Sequence, residues 1–530
     1  MKTVNKVSRV LIAVMMLVSI LAACGSNSEP PKASNEGSNA SPNPSASEGG
    51  KTEGKKGKIS ISMFDRGQVA ADEGTYESNR WTKWINENSP TEVEWIPVPR
   101  NEAQSKLNAL IASGEAPDLI WEYDRNYMTQ LAAQGAIQPI GEYIEKYSTS
   151  YKAYLEKNAE LKPYLTVDNK IYAIASKRGI DGIANHAMWV RQDILDELGV
   201  SAPATIDELI DFARKVKEKD PSMTPIVFNG NGHGIMRALY QAASDQWYLE
   251  DGKMVYARTL DRYADSLAFQ KLMFDEGLID REYITDNNFE RSKQIWITGK
   301  AAIMLGAWDM PNEYRDMMQN VPTAQPVPLE PPATALGKTG LYQETPANIY
   351  VMFNSEMNEE QIKDAIAFLD WLIEDNWLVL KKGFENEHHK LENGIPQIIN
   401  ADVFRKEASY ASEYAVIHQW SPEPSWYPVL AAQDELSQAY AKLQTISIET
   451  ALKNKFRRDI AYNPDLPELS QLIATFRPIA EQIETKVATG GNAMTPEQGL
   501  EELRKEWKRL GGDNIEGLVQ EWYEANKENL

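Results

Sequence analysis

A chain of 530 residues with a formal net charge of −22 is long enough for at least two domains, and too acidic to be organised around nucleic acid, whose phosphates are neutralised by lysine and arginine. The same charge disfavours lying flat on an anionic bilayer. One cysteine, Cys24, excludes an intrachain disulfide, a thiolate zinc cluster and a cysteine-pair redox site, while 14 tryptophans and 23 tyrosines supply flat apolar faces with polar edges.

The chain begins as a leader. Lys2, Lys6 and Arg9 precede an apolar run, Val10 to Ile20, that only Ser19 interrupts and that is too short for a comfortable membrane span, so residues 1–23 read as a secretory signal peptide. Leu21-Ala22-Ala23-Cys24 closes it and looks like a lipobox, in which small residues admit the signal peptidase and the cysteine carries the acyl chains. Two chains are what stable anchoring requires. Residues 25–58 are rich in serine, asparagine, glycine, proline and glutamate, with almost nothing to bury, and read as a disordered tether with a reach of roughly 30–35 Å.

Ile59 to Phe64 alternates as a strand; a helix is expected around Arg80 to Glu87, then a strand from Val93 to Val98. Ala103, Leu107, Leu110 and Ile111 form one face of the next helix, Gly114 stops it, Pro117 blocks its return, and Asp118 to Trp121 is a buried strand. This β-α-β-α-β order predicts a parallel sheet with helices on both faces. The loops after its strands then share one edge, bringing together Asp65, Arg66, Arg100, Trp121, Glu122 and Asp124 as candidate ligand contacts.

Val167 to Ser176 reads as a turn and an apolar strand, and Trp189 to Val200 as a strand leading into a short helix closed by Gly199. Thr205-Ile206-Asp207-Glu208 is a capping box, with Ile206, Leu209, Ile210, Ala213 and Val216 on the face of the helix it opens. Lys219 to Pro225 holds one carboxylate where calcium wants six to eight oxygens, so no metal is expected there. A strand from Pro225 to Phe228 leads to Asn229-Gly230-Asn231-Gly232-His233-Gly234, whose spacing is not that of a dinucleotide loop; Asn229 is its candidate contact. Ala301 to Leu305 is a strand after the stop at Gly299, followed by Trp308 and Asp309 as an aromatic beside a carboxylate. Asn348 to Phe353 and Gln361 to Ile373 give a strand and an amphipathic helix, and from Ala431 onward the chain is successive helices.

The segments Leu107–Asp124, Val167–Ser176, Trp189–Val200, Ile295–Asp309 and Thr495–Glu528 resemble the extracellular solute-binding proteins of family 1, the lipoproteins that serve carbohydrate uptake by ABC importers. Gly383 to Lys390 is similar to that family's GxEGxHYK pattern: Glu385 and His388 match and join the candidate contacts, while Asn386 replaces the glycine and His389 the tyrosine. The resemblance implies an α/β, two-lobed periplasmic-binding-protein-like fold with a multi-strand hinge and an α-helical C-terminal extension. It divides the chain into residues 59–175 and 309–375 for the first lobe, and 176–308 and 376–530 for the second. It implies a monomer without cofactor or catalytic residues, lipid-anchored on the outer face of the cytoplasmic membrane, that captures a small carbohydrate and delivers it to ABC importer permease subunits. The absence of a GxxxxGK[ST] loop leaves ATP hydrolysis to other subunits. Two alternatives stay open from the residues: an extracellular carbohydrate-active enzyme using two of the abundant carboxylates, and a sensor or adhesin built on the same fold.

Overall fold

The computed structural model describes residues 56–286 and 288–528, so the leader, Cys24 and nearly all of the tether lie outside it. Strand β1 (Gly57–Asp65) buries Ile59, Ile61, Met63 and Phe64. Helix α1 (Arg80–Asn88) starts where the Asn79 side chain accepts the backbone N–H groups of Trp81 and Thr82. Strand β2 (Thr91–Pro99) follows, then α2 (Ala103–Ser113), which ends on Gly114 at φ +74°, then β3 (Leu119–Glu122), all of it buried. Helix α3 (Arg125–Ala133) is capped by the Asp124 carboxylate.

The chain continues through β4 (Ala173–Ile174), β5 (Ala187–Arg191), α4 (Ile206–Lys219), β6 (Ile226–Phe228), β7 (Ile303–Gly306), α5 (Pro311–Asn320), β8 (Pro326–Leu329), β9 (Tyr350–Phe353), α6 (Glu359–Trp371), α7 (Trp377–Lys382) and the long α8 (Pro467–Thr489). Two sheets result. The first has the order β2-β1-β3-β9-β4, with β1 parallel to β2 and β3, and β9 antiparallel to β3 and β4. The second has the order β8-β5-β7-β6, in which β7 runs parallel to β6 and antiparallel to β5. Each sheet is the floor of its own hydrophobic core, so the fold has two lobes. A third core lies among the C-terminal helices, where Tyr256 stacks on Trp507 at 4.4 Å beside Trp247 and Phe476.

The lobe boundaries differ from the sequence expectation in two places. The strand before Trp308 does not return the chain to the first lobe: β7 pairs inside the second sheet, and α5 and β8 continue it, with Met317 and Leu329 in the second core. Conversely, Trp377, Leu380 and the stretch Ala408 to Ile417 fill the first core, although they follow residue 376. In both cases the local pattern names an apolar face and is silent on which of two sheets it covers. At α4 the Thr205 side chain accepts from Glu208 N–H, but Glu208 reaches the backbone N–H of Ala204 instead of closing the reciprocal box. Among the described residues no helix is long and apolar enough to cross a membrane.

Candidate ligand-binding cleft

The carboxyl ends of β1, β2, β3 and β4 lie on one edge of the first sheet, and those of β6 and β7 on one edge of the second. Chain direction therefore decides which loops can meet. At the first edge stands an aromatic stack: Trp121 lies on Phe64 at 4.8 Å, Phe64 on Tyr123 at 5.6 Å, and the Arg100 guanidinium sits 4.6 Å from the Phe64 ring and 5.0 Å from that of Tyr123. Trp121 is 2% exposed and Phe64 is fully buried, so Tyr123 is the ring of the stack that keeps accessible surface. Arg66 pairs with Glu413 at 2.8 Å and donates to the Tyr123 hydroxyl at 3.3 Å, while Asp65 is turned outward and accepts from Gly67 N–H. Glu122 is spent locally, accepting the Tyr123 N–H at 2.6 Å, and burial pushes its carboxyl up.

At the second edge Trp308 is 7% exposed, donates its indole N–H to the Asp181 carbonyl and meets Tyr427 edge-on at 4.9 Å. Asp309 keeps accessible surface and accepts from Gln444, yet desolvation in the recess raises its carboxyl to about 6 against the pull of Lys382. Lys381 and Lys382 at the end of α7 are correspondingly depressed by desolvation, Lys382 to about 8, and Lys382 lies 4.4 Å from the Trp420 ring. Asn229 caps its own loop by accepting from Asn231 N–H. The lobes meet at the rim, where Asn101 donates to Asn288 at 2.8 Å.

The structure buries the two candidate tryptophans. Both are held by stacking and burial, and within the stack at the first edge Tyr123 is the ring that keeps accessible surface. Asp124 caps α3 and pairs with Arg477 at 3.2 Å. Tyr123, Arg178, Lys381, Lys382, Asp181 and Glu413 are the groups that the candidate set omits. The burial-raised carboxyl of Glu413 carries an oxygen, Oε2, that accepts no hydrogen bond among the described residues. Arg178 follows β4 by a few residues and was reachable by the same strand-end rule as Arg100; Glu413 and the two lysines come from helical segments with no local signature.

His388 is 1% exposed and lies against Trp81 behind the first lobe's sheet, while Glu385 is exposed on the same loop. The His388 Nδ1 accepts the Phe384 N–H, which leaves the proton on Nε2, 3.7 Å from both Glu387 and Glu407. These three groups could gather around a metal, but a metal-bound histidine donates from its other nitrogen, and Arg80 already supplies positive charge 2.8 Å from Glu407 and 3.6 Å from Glu387. An open depression lined by Lys56, Asn88, Pro90 and Trp371 lies at the amino ends of β1 and β2, the edge opposite the recess.

Residues 71–377 match the family described as bacterial extracellular solute-binding protein. The chain belongs to that family. As a solute-binding protein it is 21% identical over 457 residues to the lipoprotein LipO of Bacillus subtilis, a match covering 82% of this chain and 86% of LipO. A second relative, the fructooligosaccharide ABC transporter substrate-binding protein FusA of Streptococcus pneumoniae, is 28% identical over 213 residues, 36% of this chain and 39% of FusA. The polygalacturonan/rhamnogalacturonan-binding protein YtcQ of Bacillus subtilis is 25% identical over 239 residues, 43% of this chain and 46% of YtcQ. Among solved structures, the alginate-binding protein AlgQ2 without calcium ion superposes with a TM-score of 0.71 at 18% identity, covering 89% of this chain and 98% of that one. FusA in complex with kestose follows at 0.66 and 17%, covering 89% and 100%. The two-lobed α/β fold is that of solute-binding proteins.

Proposed function

We propose that this solute-binding protein captures an oligosaccharide between its lobes and delivers it to the permease of an ABC importer, held at the outer face of the cytoplasmic membrane by acyl chains on Cys24. The ligand class is the one for which FusA and YtcQ are named. The observation that carries the reading is the recess itself: an accessible aromatic ring and guanidiniums from the strand ends of the first sheet meet ammoniums and carboxylates from neighbouring helical segments and from the end of β7, and the buried Glu413 keeps an oxygen without a partner among the described residues. Sugar rings present C–H faces to stack on Tyr123 and hydroxyls to reach the charged groups. Asp65, Arg66, Arg100, Asn229 and Asp309 are the contacts we infer from the candidate set, with Tyr123 and Glu413 added. A ligand that bridges both edges gains its full contacts only when the lobes are together, and that differential affinity drives closure.

The reading is of binding without catalysis. The test is a thermal-unfolding screen of the chain lacking its leader, with Cys24→Ser, against neutral and acidic oligosaccharides, amino sugars and short peptides, each mixture then analysed for breakdown. A ligand at 100 times its dissociation constant adds about 2.7 kcal/mol to the folded state. Stabilisation by an intact sugar is expected. Sugar cleavage would replace the reading with a glycosidase, and stabilisation by peptides alone would overturn the ligand class.

A further inference from the structure

We infer that His233 is the second lobe's contact with the bound sugar, its imidazole offering a ring face and hydrogen-bonding nitrogens to an uncharged part of the ligand. The inference rests on the reading that an oligosaccharide is held between the lobes, and gives that reading a residue in the lobe opposite Tyr123. Of the five histidines, His186, His388, His389 and His418 are buried and His233 is exposed. It stands in the first turn of the helix Gly232–Leu239, at the ligand edge of the second sheet. Its ring lies 5.7 Å from that of Phe228, the last residue of β6, and 5.9 Å from that of Tyr283. Gly232 and Gly234 on either side lie so close to Phe228 and His186 that a Cβ on them would come within 2.4 Å and 3.3 Å. The loop from Asn229 is therefore pressed onto the strand end, and His233 is the side chain it leaves exposed.

The exposure is to a concavity. Desolvation by the surrounding walls pushes the imidazole down to about 4, with Arg237 acting the same way and Glu484 against them, whereas a histidine that faces outward into water stays near its ordinary value. A path of contacts leads from its loop to the first lobe. The Phe289 ring lies over Gly230, where a Cβ would be 3.5 Å away, and the neighbouring Asn288 accepts from Asn101 at 2.8 Å. Asn101 in turn follows Arg100, whose guanidinium covers Phe64 and Tyr123. The loop of His233 and the stack of Tyr123 are thereby joined across the rim. An uncharged imidazole has one N–H donor and one acceptor nitrogen, and among the described residues this one makes no hydrogen bond. A sugar hydroxyl, which both donates and accepts, satisfies either nitrogen, and a C–H face packs on the ring. A carboxylate would need the imidazolium that this setting disfavours.

The experiment joins acylation by diethyl pyrocarbonate at pH 6, mapped by peptide mass spectrometry, to calorimetric titration, both on the Cys24→Ser chain without its leader. The probes are kestose, maltotriose, xylotriose and trigalacturonate, with any other sugar that stabilises the chain in the thermal screen. Without sugar, His233 is expected to react ahead of the other four histidines, and a different order would overturn its placement. A probe that binds is expected to slow the acylation of His233 by about 10-fold or more. His233→Ala is expected to weaken that probe by about 10-fold or more, with His233→Gln keeping part of the affinity. The melting temperature of each ligand-free variant checks that it folds. Protection in the parent chain with undiminished affinity in His233→Ala would mean shielding by lobe closure alone and would overturn the contact. Binding without protection would overturn it as well, and in both cases the oligosaccharide reading stands. No binding by any sugar would remove that reading and the inference with it.

Discussion

Trp121 and Tyr123 are two residues apart, yet the strand's alternation and the order of the stack give them opposite duties. Trp121 pairs across from Val351 inside the sheet and has its ring covered by Phe64, whereas Tyr123 leaves the strand and shows a face to the recess. Trp121→Ala is expected to cost about 3–5 kcal/mol in urea unfolding, since it empties a full side-chain volume from the core, and Tyr123→Ala, which loses only the outer ring of the stack, to cost less stability while weakening sugar binding. The reverse pattern would return the tryptophan to the binding surface. Asp309 offers a pH-dependent test. Its carboxyl is raised from 3.8 to about 6 by desolvation, so its contribution to stability is complete below about pH 4 and is lost as pH rises through 6. Asp309→Asn is therefore expected to raise the melting temperature at pH 7 by about 2 °C or more and to leave it unchanged at pH 4. An identical difference at both pH values would contradict this.

Elements were legible in the sequence where the pattern is local. The β1-α1-β2-α2-β3 order, the stop at Gly114 and the opening of α4 at Thr205 follow from periodicity, glycine's left-handed freedom and capping chemistry. Tyr123 was within reach by the same logic, one residue past a buried strand. What the sequence does not carry is the partner across space: Glu413 lies 347 residues from the Arg66 it neutralises, and the choice of sheet for β8 or the Ala408–Ile417 stretch depends on which apolar face is left uncovered by the rest of the chain. The loop after α7 joins both kinds of information. Gly383 at φ +74° lets the His388 ring come where a Cβ would lie 2.5 Å from it, and Asn386, standing where the family pattern has glycine, takes φ +65° itself. Helix α8 shows the same dependence at longer range. Packed against the helix Asp261–Asp275, it sends Arg477 to Asp245 at 3.0 Å and across to Asp124 of the first lobe at 3.2 Å. Arg477→Ala is expected to lower stability by about 2 kcal/mol, because it leaves two partly buried carboxylates facing each other, and to enlarge the ligand-free radius of gyration in solution scattering. An unchanged radius would show that the pair does not hold the lobes together.

At the scale of the whole molecule, two sheets with separate cores are joined by three passages of chain, around residues 176–183, 342–346 and 418–426. The C-terminal region ties them further, α8 lying against α3 of the first lobe and Tyr462 meeting Tyr164 edge-on at 5.0 Å. Attachment belongs to this scale too: the anchor we propose is Cys24, so Cys24→Ser in the full-length chain is expected to move the protein from the membrane fraction to the medium. Retention at the membrane would require a different attachment.

The double pairing of Arg477 has a consequence away from the cleft. Asp124 follows the end of β3 by two residues, so the strand that carries the ligand edge and the salt link to α8 move as one piece. The link joins the first lobe to a helix that also holds Asp245, so it opposes their separation. A helix of the C-terminal region is in this way tied to the strand end that carries the recess.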